Sequence, residues 1–482
     1  MRRYILILLL LCLALTVHAT PPAQLGSAID QFITDFRGHA GCRNAKVGVV
    51  VRSLDDGSLW YAKRADALFI PASTAKLVTA SLALQYLTAD YRFSTRLLTD
   101  GNLTPDGTLH GNLIVQGGGD PTLLSEDLYA CVQELATGNS TTGLGAITHI
   151  TGRILLDGSC FPCTGPQWGP GWEDSDLLWS YAAPACALSC NRNALRVMAR
   201  GTTPGTSAAV SLEPATGLYT VVNRTKTSTA VTAGSLTVSR TGTRLLIAGL
   251  VAPDVELSER ISIPNPEGFL TEQLTRALTS VGITLSATPE TCAPSSAERT
   301  LLVSHQSAPL ADVLTLMLKD SDNHIAEQLR WTLLAQQSAP LPSAKRYANL
   351  LHEFACQLAV KSSTLQLVDG SGLSRLSHVS PATLVQVLVT QAASPSFDVL
   401  WQALPIAGVD GTMQHRLQGT AADGNVHAKT GTMRGVSSLA GYVTSARGER
   451  LAFAVMVNGY SSGAAFARTL QDAVANYLAA SR

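Results

Sequence analysis

The stretch PASTAKLVTA, residues 71–80, places a single lysine inside an apolar helical pattern. Lys76 is the only charged residue between Asp66 and Asp90. At 100° per residue, one face of the helix carries Ser73, Lys76, Leu77, Ala80, Leu84 and Leu87. Val78 and Leu82 make the opposite side apolar as well, so the pattern predicts a buried helix.

A lysine in a buried helix needs a compensating partner or a lowered pKa, because burial of an unpaired ammonium is costly. Ser73 lies one turn before Lys76, where the amine can accept the proton of the hydroxyl. Pro71 favours helix initiation and leaves Ser73 near the positive end of the helix dipole. The alternative is a surface lysine that extends its amine to solvent.

Two further short motifs follow along the chain. Ser321-Asp322-Asn323 lies between two amphipathic helical patterns, and Lys429-Thr430-Gly431 lies at the end of a predicted strand. Each has a structural alternative: a helix N-cap for the first, and an exposed strand end running into a turn for the second. Together with Ser73-x-x-Lys76, their order matches the signature of penicillin-recognising enzymes.

These residue types suit acyl transfer. Ser73 would attack a carbonyl, and Lys76 would remove its proton while the lysine is neutral. Ser321 would relay the proton to the leaving amine, and Asn323 would hold Lys76 and the substrate amide.

The third motif suits recognition of the substrate. Lys429 and Thr430 would bind a substrate carboxylate by charge and hydrogen bonding. Gly431 would let the strand approach closely, so that the N–H groups of Ser73 and Thr432 face the developing oxyanion. The predicted site therefore handles a substrate with a terminal carboxylate.

Composition limits the other functions. The chain has 482 residues, of which 46% are hydrophobic, and this predicts two or three domains with sizeable cores. Lys plus Arg and Asp plus Glu both number 35, so no net charge favours nucleic acid or an anionic membrane surface.

The N-terminus predicts export. Arg2 and Arg3 precede an apolar run from Tyr4 to Val17, and Val17-His18-Ala19 forms a small-residue cleavage pattern. Residues 1–19 are therefore predicted to be a secretory signal peptide. An uncleaved anchor is the alternative, although the run is short for a membrane-spanning helix.

Eight cysteines remain after the signal peptide: Cys42, Cys131, Cys160, Cys163, Cys186, Cys190, Cys292 and Cys356. An even number in an exported chain favours disulfides. The spacing of Cys160, Cys163, Cys186 and Cys190 also fits a structural zinc site, which stays open as the alternative. No cofactor or catalytic metal is predicted.

The pattern of elements predicts a discontinuous α/β (α+β) domain. Residues 45–64 form a hairpin signal around Asp55-Asp56-Gly57, and residues 426–481 indicate three strands and a helix. We expect these segments, within 20–90 and 290–482, to form one antiparallel sheet flanked by helices. Residues 91–289 are rich in Gly, Thr, Ser and Pro and predict a mostly β insertion of one or two modules, the second at about 200–255.

On these motifs the chain resembles the class C low-molecular-mass penicillin-binding proteins, the D-alanyl-D-alanine carboxypeptidase/endopeptidases of the penicillin-binding protein four type. The long separation of Lys76 from Ser321 is typical of that group, which carries a large insertion there. GGGDPTL (117–123), LLDGSCF (155–161), GPGWEDSD (169–176) and LVDGSGLSR (367–375) resemble further family segments.

The resemblance implies a β-lactamase/transpeptidase-like domain, peptidoglycan peptides ending in D-Ala-D-Ala or joined by D,D-cross-links as substrates, and acylation by β-lactams. It implies a periplasmic location and allows peripheral association with the envelope and a homodimer. It also implies that Asp157 and Arg375 lie near the side chain of the substrate's stem peptide. The alternatives are a turn residue for Asp157 and a loop ion pair for Arg375. Arg434 stands where some relatives carry glutamine, which affects the expected side-chain preference.

Two other functions remain as alternatives. A β-lactamase would need a deacylating glutamate in a Glu-x-x-Leu-Asn pattern shortly after Asn323, and the sequence has none there. A catalytically silent cell-wall-binding protein of the same fold is the second, although all the core site residues are present.

Overall fold

The computed structural model describes residues 21–138, 143–161, 167–287, 298–336 and 343–482. The helices are α1 (Leu25–Gly38), α2 (Ala75–Leu87), α3 (Ser125–Thr137), α4 (Pro266–Ser280), α5 (Leu310–Lys319), α6 (Asn323–Ala335), α7 (Ser343–Gln357), α8 (Pro381–Ala392), α9 (Phe397–Ala403) and α10 (Ala465–Ala480). The strands up to the middle of the chain are β1 (Lys46–Ser53), β2 (Leu59–Lys63), β3 (Ser94–Thr99), β4 (Asn102–Leu103), β5 (Thr108–His110), β6 (Leu113–Gln116), β7 (His149–Ile150), β8 (Ile154–Asp157), β9 (Ala194–Arg200), β10 (Ala209–Glu213) and β11 (Thr220–Thr227). The remaining strands are β12 (Gly234–Thr241), β13 (Arg244–Val251), β14 (Glu256–Ser262), β15 (Thr284–Leu285), β16 (Thr300–Gln306), β17 (Leu365–Gln366), β18 (His378–Val379), β19 (His427–Met433), β20 (Val436–Thr444) and β21 (Arg450–Asn458).

The central sheet has the order β19-β20-β21-β1-β2, and all its neighbours are antiparallel. The predicted hairpin is present as β1 and β2, and the predicted C-terminal strands are β19, β20 and β21, followed by α10. The sheet therefore joins the two ends of the chain, as expected, and leaves β19 at one edge.

Both faces of this sheet are covered by helices. Alternate residues of β1, Val47, Val49 and Val51, pack in one core with α1 and α10. Val50 faces the opposite core, which contains α2 and α8. On that face a Cβ at Gly48 would come within 2.7 Å of Phe69 and Pro381, so the missing side chain lets the start of α8 approach the sheet. The predicted α/β fold with an antiparallel sheet flanked by helices is confirmed.

The predicted buried helix is α2, in which every residue from Ala75 to Leu84 is buried. It begins two residues later than the Ser73 pattern suggests, because Ala72–Thr74 form a separate 3-10 turn. Since α2 packs against α5, α6 and α8, it has no solvent-exposed face along most of its length.

The inserted region builds a second core. Its sheets have the orders β16-β3-β6-β8, β15-β7-β5-β4, β10-β9-β14 and β11-β13-β12. A separate hydrophobic cluster joins these sheets to α3 and α4. The strand β16 follows residue 290 but pairs with β3, which places it with the inserted region. The division at 91–289 stays a prediction, and this pairing favours a boundary after β16.

Disulfides are not found at four of the predicted cysteines. Cys42, Cys131, Cys190 and Cys356 are free thiols in the structure, the first three of them buried. Buried thiols of this kind act as small apolar side chains in separate cores. Cys163 and Cys292 lie outside the described residues, and within the described ranges no group of three or more Cys, His, Asp or Glu is arranged for a metal ion.

No helix in the described ranges is long and apolar enough to cross a membrane. The predicted signal peptide, residues 1–19, lies outside those ranges.

Candidate active site

Ser73 and Lys76 meet at the start of α2. Ser73 lies in the 3-10 turn, half-buried, after Ala72 with a left-handed φ of 47°. Lys76 is fully buried, and its Nζ lies 2.9 Å from Ser73 Oγ, 2.6 Å from Asn323 Oδ1 and 2.9 Å from the carbonyl oxygen of Ser371. The amine therefore touches the predicted nucleophile and two groups that hold it in place.

The electrostatic surroundings of Lys76 favour a base. Burial lowers the pKa of Lys76 to about 8, while the negative charges of Asp322, Asp369 and Glu327 raise it and limit the shift. A substantial fraction of the amine is therefore neutral near pH 8, where it can take a proton from Ser73.

The Ser321 motif forms the turn between α5 and α6. Asp322 caps α6 by accepting from the N–H of Ile325 at 2.9 Å, so the predicted N-cap alternative holds for this one residue. Asn323 Oδ1 accepts from Lys76, and its Nδ2 donates to the carbonyl oxygen of Tyr181 at 2.8 Å. One motif thus caps a helix and also reaches the site.

Ser321, unlike Asn323, does not hydrogen-bond to the Ser73–Lys76 pair. It has a left-handed φ of 59°, and its hydroxyl makes no hydrogen bond to Ser73 or Lys76 in the described part of the chain. It lines a small cavity together with Asn323, the residue whose Oδ1 accepts from Lys76. Its predicted proton relay remains a proposal.

The Lys-Thr-Gly motif lies on the edge strand β19. Lys429 is buried, and its Nζ donates to the carbonyl oxygen of Thr430 at 3.0 Å. Burial lowers the pKa of Lys429 well below its usual range, and the charge of Lys76 lowers it further. Thr430 Oγ1 donates to Thr412 Oγ1 at 2.8 Å, and Thr432 is exposed.

Gly431 brings this strand against the nucleophile. A Cβ at position 431 would lie 2.9 Å from the backbone nitrogen of Ser73 and 2.8 Å from the carbonyl oxygen of Pro71. Only glycine permits this approach without displacing the start of α2. The three motifs predicted from the sequence therefore come together, with Ser321 at the margin.

Asp157 makes no hydrogen bond or ion pair with the described residues of the three motifs. Its buried carboxylate accepts from Arg299 Nη1 at 2.6 Å, Gln116 Nε2 at 3.1 Å and the N–H of Ser159 at 3.0 Å. Burial alone would raise the pKa of Asp157, but the hydrogen bonds from Ser159, Arg299 and Gln116 outweigh it and hold the pKa at about 2. These contacts describe a structural ion pair inside the inserted region.

Arg375 lies at the rim of the site. Its Nε donates to Glu173 Oε1 at 3.1 Å, and its Nη2 donates to the carbonyl oxygen of Arg434 at 3.1 Å. The arginine thus links the inserted region to the turn after β19, and the predicted loop ion pair is present. Contact with a substrate stays a prediction.

The sequence analysis assigned no role to a buried network behind Lys76. Glu327 Oε1 accepts from the N–H groups of Gly370 and Ser371 at 2.8 and 2.9 Å, and its other oxygen faces Arg330. Asp369 accepts from Ser374 N–H at 2.8 Å and Trp172 Nε1 at 3.1 Å. This network fixes the Ser371 carbonyl that holds Lys76. Two sequence features could have revealed this network. They are the LVDGSGLSR segment and a glutamate four residues after Asn323 on the same helix face.

Comparison with known proteins identifies the family. The family model described as the D-Ala-D-Ala carboxypeptidase 3 (S13) family matches residues 27–481. The chain belongs to this family. The three motifs, the inserted region and the sheet described above therefore belong to an S13 peptidase fold.

Two relatives match over most of the chain. A D-alanyl-D-alanine carboxypeptidase of Actinomadura sp. (strain R39) is 32% identical over 477 residues, which cover 95% of this chain and 84% of that protein. The D-alanyl-D-alanine carboxypeptidase DacB of Haemophilus influenzae is 30% identical over 428 residues, which cover 87% of this chain and 86% of that protein.

Solved structures of similar proteins share the fold of this chain. The crystal structure of penicillin binding protein 4 (dacB) from Haemophilus influenzae superposes with a TM-score of 0.78 at 28% identity, covering 92% of this chain and 98% of that one. The same protein complexed with a β-lactam superposes with a TM-score of 0.73 at 27% identity, with 92% and 99% covered. The resemblance to the penicillin-binding protein four type is confirmed.

Proposed function

We propose that this chain is a serine D-Ala-D-Ala carboxypeptidase of the penicillin-binding type that also cleaves D,D-cross-links in peptidoglycan. The observation that carries the proposal is the contact of Lys76 Nζ with both Ser73 Oγ and Asn323 Oδ1. A half-buried serine paired with a buried lysine of lowered pKa is suited to nucleophilic attack.

In the first step, Ser73 Oγ attacks the carbonyl carbon of the penultimate D-alanine while Lys76 takes the hydroxyl proton. The C–N bond then breaks, and the leaving amine receives a proton through Ser321. Water then attacks the acyl carbonyl carbon and gives one proton to Lys76. The ester C–O bond breaks, this proton passes to Ser73 Oγ, and the shortened peptide leaves as its carboxylic acid. The N–H groups of Ser73 and Thr432 stabilise the oxyanion in both steps.

Recognition depends on charge at the edge strand. Lys429 and Thr430 bind the carboxylate of the leaving residue, because burial disfavours the charged form of Lys429 and an anionic partner would stabilise it. Arg375, which pairs with Glu173 at the rim of the site, would meet the side chain of the stem peptide in competition with that carboxylate. Asp157 would act on the substrate only if its ion pair with Arg299 opened.

A β-lactamase is disfavoured by the carboxylate nearest Lys76 on α6. Glu327 is 1% exposed, and its oxygens are occupied by two backbone N–H groups and Arg330. Such a carboxylate is not available to activate a deacylating water, so the penicillin adduct should persist.

The proposed location follows from the predicted signal peptide. An exported chain acting on peptidoglycan would work in the periplasm, with peripheral envelope association and a homodimer as further expectations. The catalytically silent alternative has no specific observation in its favour.

The test is mass spectrometry of the mature protein after incubation with benzylpenicillin, with Ser73→Ala as the matched variant. We expect one stable adduct on the wild type and none on the variant, together with release of D-alanine from a peptide ending in D-Ala-D-Ala. Rapid turnover of a chromogenic cephalosporin would instead indicate a β-lactamase. An absence of both adduct and hydrolysis in folded protein would favour the silent alternative.

A further inference from the structure

A small polar cavity lies between the Ser321 turn and the inserted region. Its volume is about 140 Å³. The residues that matter to its chemistry are Arg192, Arg260, Asp320, Ser321, Asn323 and His324. Because Asn323 lines the cavity and its Oδ1 accepts from Lys76, the cavity adjoins the Ser73–Lys76 pair through this one side chain.

The cavity carries two charges that lack partners. Arg192 is neutralised by Asp322, whose carboxylate lies 2.8 Å from Arg192 Nη1. Arg260 and Asp320 are exposed, and within the described ranges neither makes an ion pair or a side-chain hydrogen bond. The Arg260 guanidinium is therefore free to bind an anionic or hydrogen-bond-accepting group, and the Asp320 carboxylate is free to bind a cationic or hydrogen-bond-donating group.

A buried polar group also lines the cavity. His324 is 2% exposed, and neither of its ring nitrogens makes a hydrogen bond of normal geometry in the part of the chain that the structure describes, although the backbone of Pro184 lies close enough to raise the pKa of the ring. Burial lowers the pKa of His324 to about 4, so the ring is neutral and offers one donor and one acceptor. Pro184 can engage at most the donor nitrogen, so the other ring nitrogen stays unfavourably buried unless another molecule donates to it.

The mechanism indicates which molecule this is. If Ser321 passes the proton to the leaving amine, the leaving group lies against the cavity. A leaving D-alanine has only its reacting amine and one carboxylate, which Lys429 and Thr430 already hold. A leaving peptide from a cross-link has further N–H groups and its own C-terminal carboxylate.

We propose that this cavity is a subsite for the leaving peptide of a cross-link. Arg260 binds a carboxylate of that peptide, and Asp320 accepts its N–H groups. The proposal rests on the proposed function above and makes Arg260 a residue that favours cross-link cleavage over D-alanine release.

The test compares two substrates with wild type and Arg260→Gln. One substrate is a peptide ending in D-Ala-D-Ala, and the other is a purified D,D-cross-linked peptide dimer. Loss of a charged hydrogen bond should lower kcat/KM for the dimer about tenfold or more, mainly through KM. We expect D-alanine release to stay within about twofold, since its leaving group does not reach Arg260.

Three variants sharpen this test. Arg260→Lys keeps the charge and should recover most of the dimer cleavage, and Asp320→Asn should show a smaller loss than Arg260→Gln. Arg244→Gln removes the same charge from an exposed strand end of the inserted region and is the matched control. The rate of acylation by benzylpenicillin and the thermal unfolding midpoint report whether Arg260→Gln leaves the fold and the nucleophile intact.

Several outcomes would overturn the inference. These are an equal loss on both substrates, an unchanged rate on the dimer, or a wild type that releases D-alanine and leaves the dimer intact. A failure of the proposed function is distinguishable, because the wild type would then cleave neither substrate and form no penicillin adduct.

Discussion

At the scale of single residues, Lys76 sets the pH dependence of the site. An ammonium cannot accept a proton from Ser73, so activity requires the neutral amine. With a folded-state pKa of about 8, we expect the rate of acylation by benzylpenicillin to rise about tenfold per pH unit below pH 8 and to level off above it. Rates measured by mass spectrometry from pH 6 to 9.5 check this. A flat profile would mean that Lys76 is not the base.

The role of Asp157, structural or substrate-binding, can be tested through its effect on stability. Its folded-state pKa of about 2 lies below the ordinary value of 3.8, so the ionised form stabilises the fold above about pH 4 and this stabilisation is lost as the pH falls toward 2. Because a partly solvated ion pair is screened, we expect Asp157→Asn to lower the free energy of unfolding at pH 7 by only about 1 to 2 kcal/mol.

Denaturant unfolding of Asp157→Asn at pH 7 and pH 2 measures this difference, which should shrink to a small fraction of its pH 7 value at pH 2, where about half of the Asp157 carboxyl groups are protonated. D-alanine release should change by about twofold or less. A large rise in KM with unchanged stability would instead support the role that the family resemblance implies.

Some features of the site can be predicted from the sequence and others cannot. The burial of Lys76 is predictable because its neighbours along the helix are apolar on every side. The contact with Ser371 is not predictable in the same way, because a backbone carbonyl carries no side-chain signal. The ion pair of Asp157 with Arg299 joins residues far apart in the chain, and no local pattern reports such pairing.

At the scale of elements, the approach of β19 to the start of α2 builds the site. Gly431→Ala would place a Cβ 2.9 Å from Ser73 N and 2.4 Å from Ser438 Oγ, so either the strand or the turn must move. A displacement of the nucleophile by about 1 Å can cost about 100-fold in rate, and we expect a loss of this order in acylation by benzylpenicillin.

Gly463→Ala is the matched control for this prediction, because a Cβ at position 463 meets no atom within 4 Å. It should acylate at the wild-type rate. If Gly431→Ala also acylated normally, the close approach of the two elements would not be needed for catalysis.

The elements themselves differ in how well their sequence predicts them. The hairpin β1–β2 and the strands β20 and β21 are predictable because apolar runs of strand length flank turn-forming sequences. The strand β16 escapes prediction as part of the inserted region, since only its pairing with β3 reveals its sheet. The short 3-10 turn before α2 has no periodicity long enough to separate it from the helix.

At the scale of the whole molecule, two regions share one site. The inserted region contributes the Tyr181 carbonyl that holds Asn323, the Arg192 guanidinium that pairs with Asp322, and the Trp172 donor to Asp369. The catalytic geometry therefore depends on docking between the inserted region and the helical core, rather than on either region alone.

Gln328 of α6 is the buried residue that fastens this docking. Its Nε2 donates to the Cys186 carbonyl oxygen and to Ser189 Oγ, each at 2.8 Å, and its Oε1 accepts from Cys186 N–H at 3.1 Å. Gln328→Leu removes all three bonds in a buried setting, which should lower the free energy of unfolding by about 1 to 3 kcal/mol. The exposed replacement Gln31→Leu on α1 should change it by no more than about 0.5 kcal/mol.

The same variant tests whether docking controls chemistry. If the inserted region loosens, the Tyr181 carbonyl no longer fixes Asn323, and Lys76 loses a well-placed partner. We therefore expect Gln328→Leu to slow acylation by benzylpenicillin even at temperatures where the protein stays fully folded, with the loss larger than that of Gln31→Leu. A variant that is less stable but acylates at the wild-type rate would show that the helical core holds the nucleophile, its base and Asn323 without help from the inserted region.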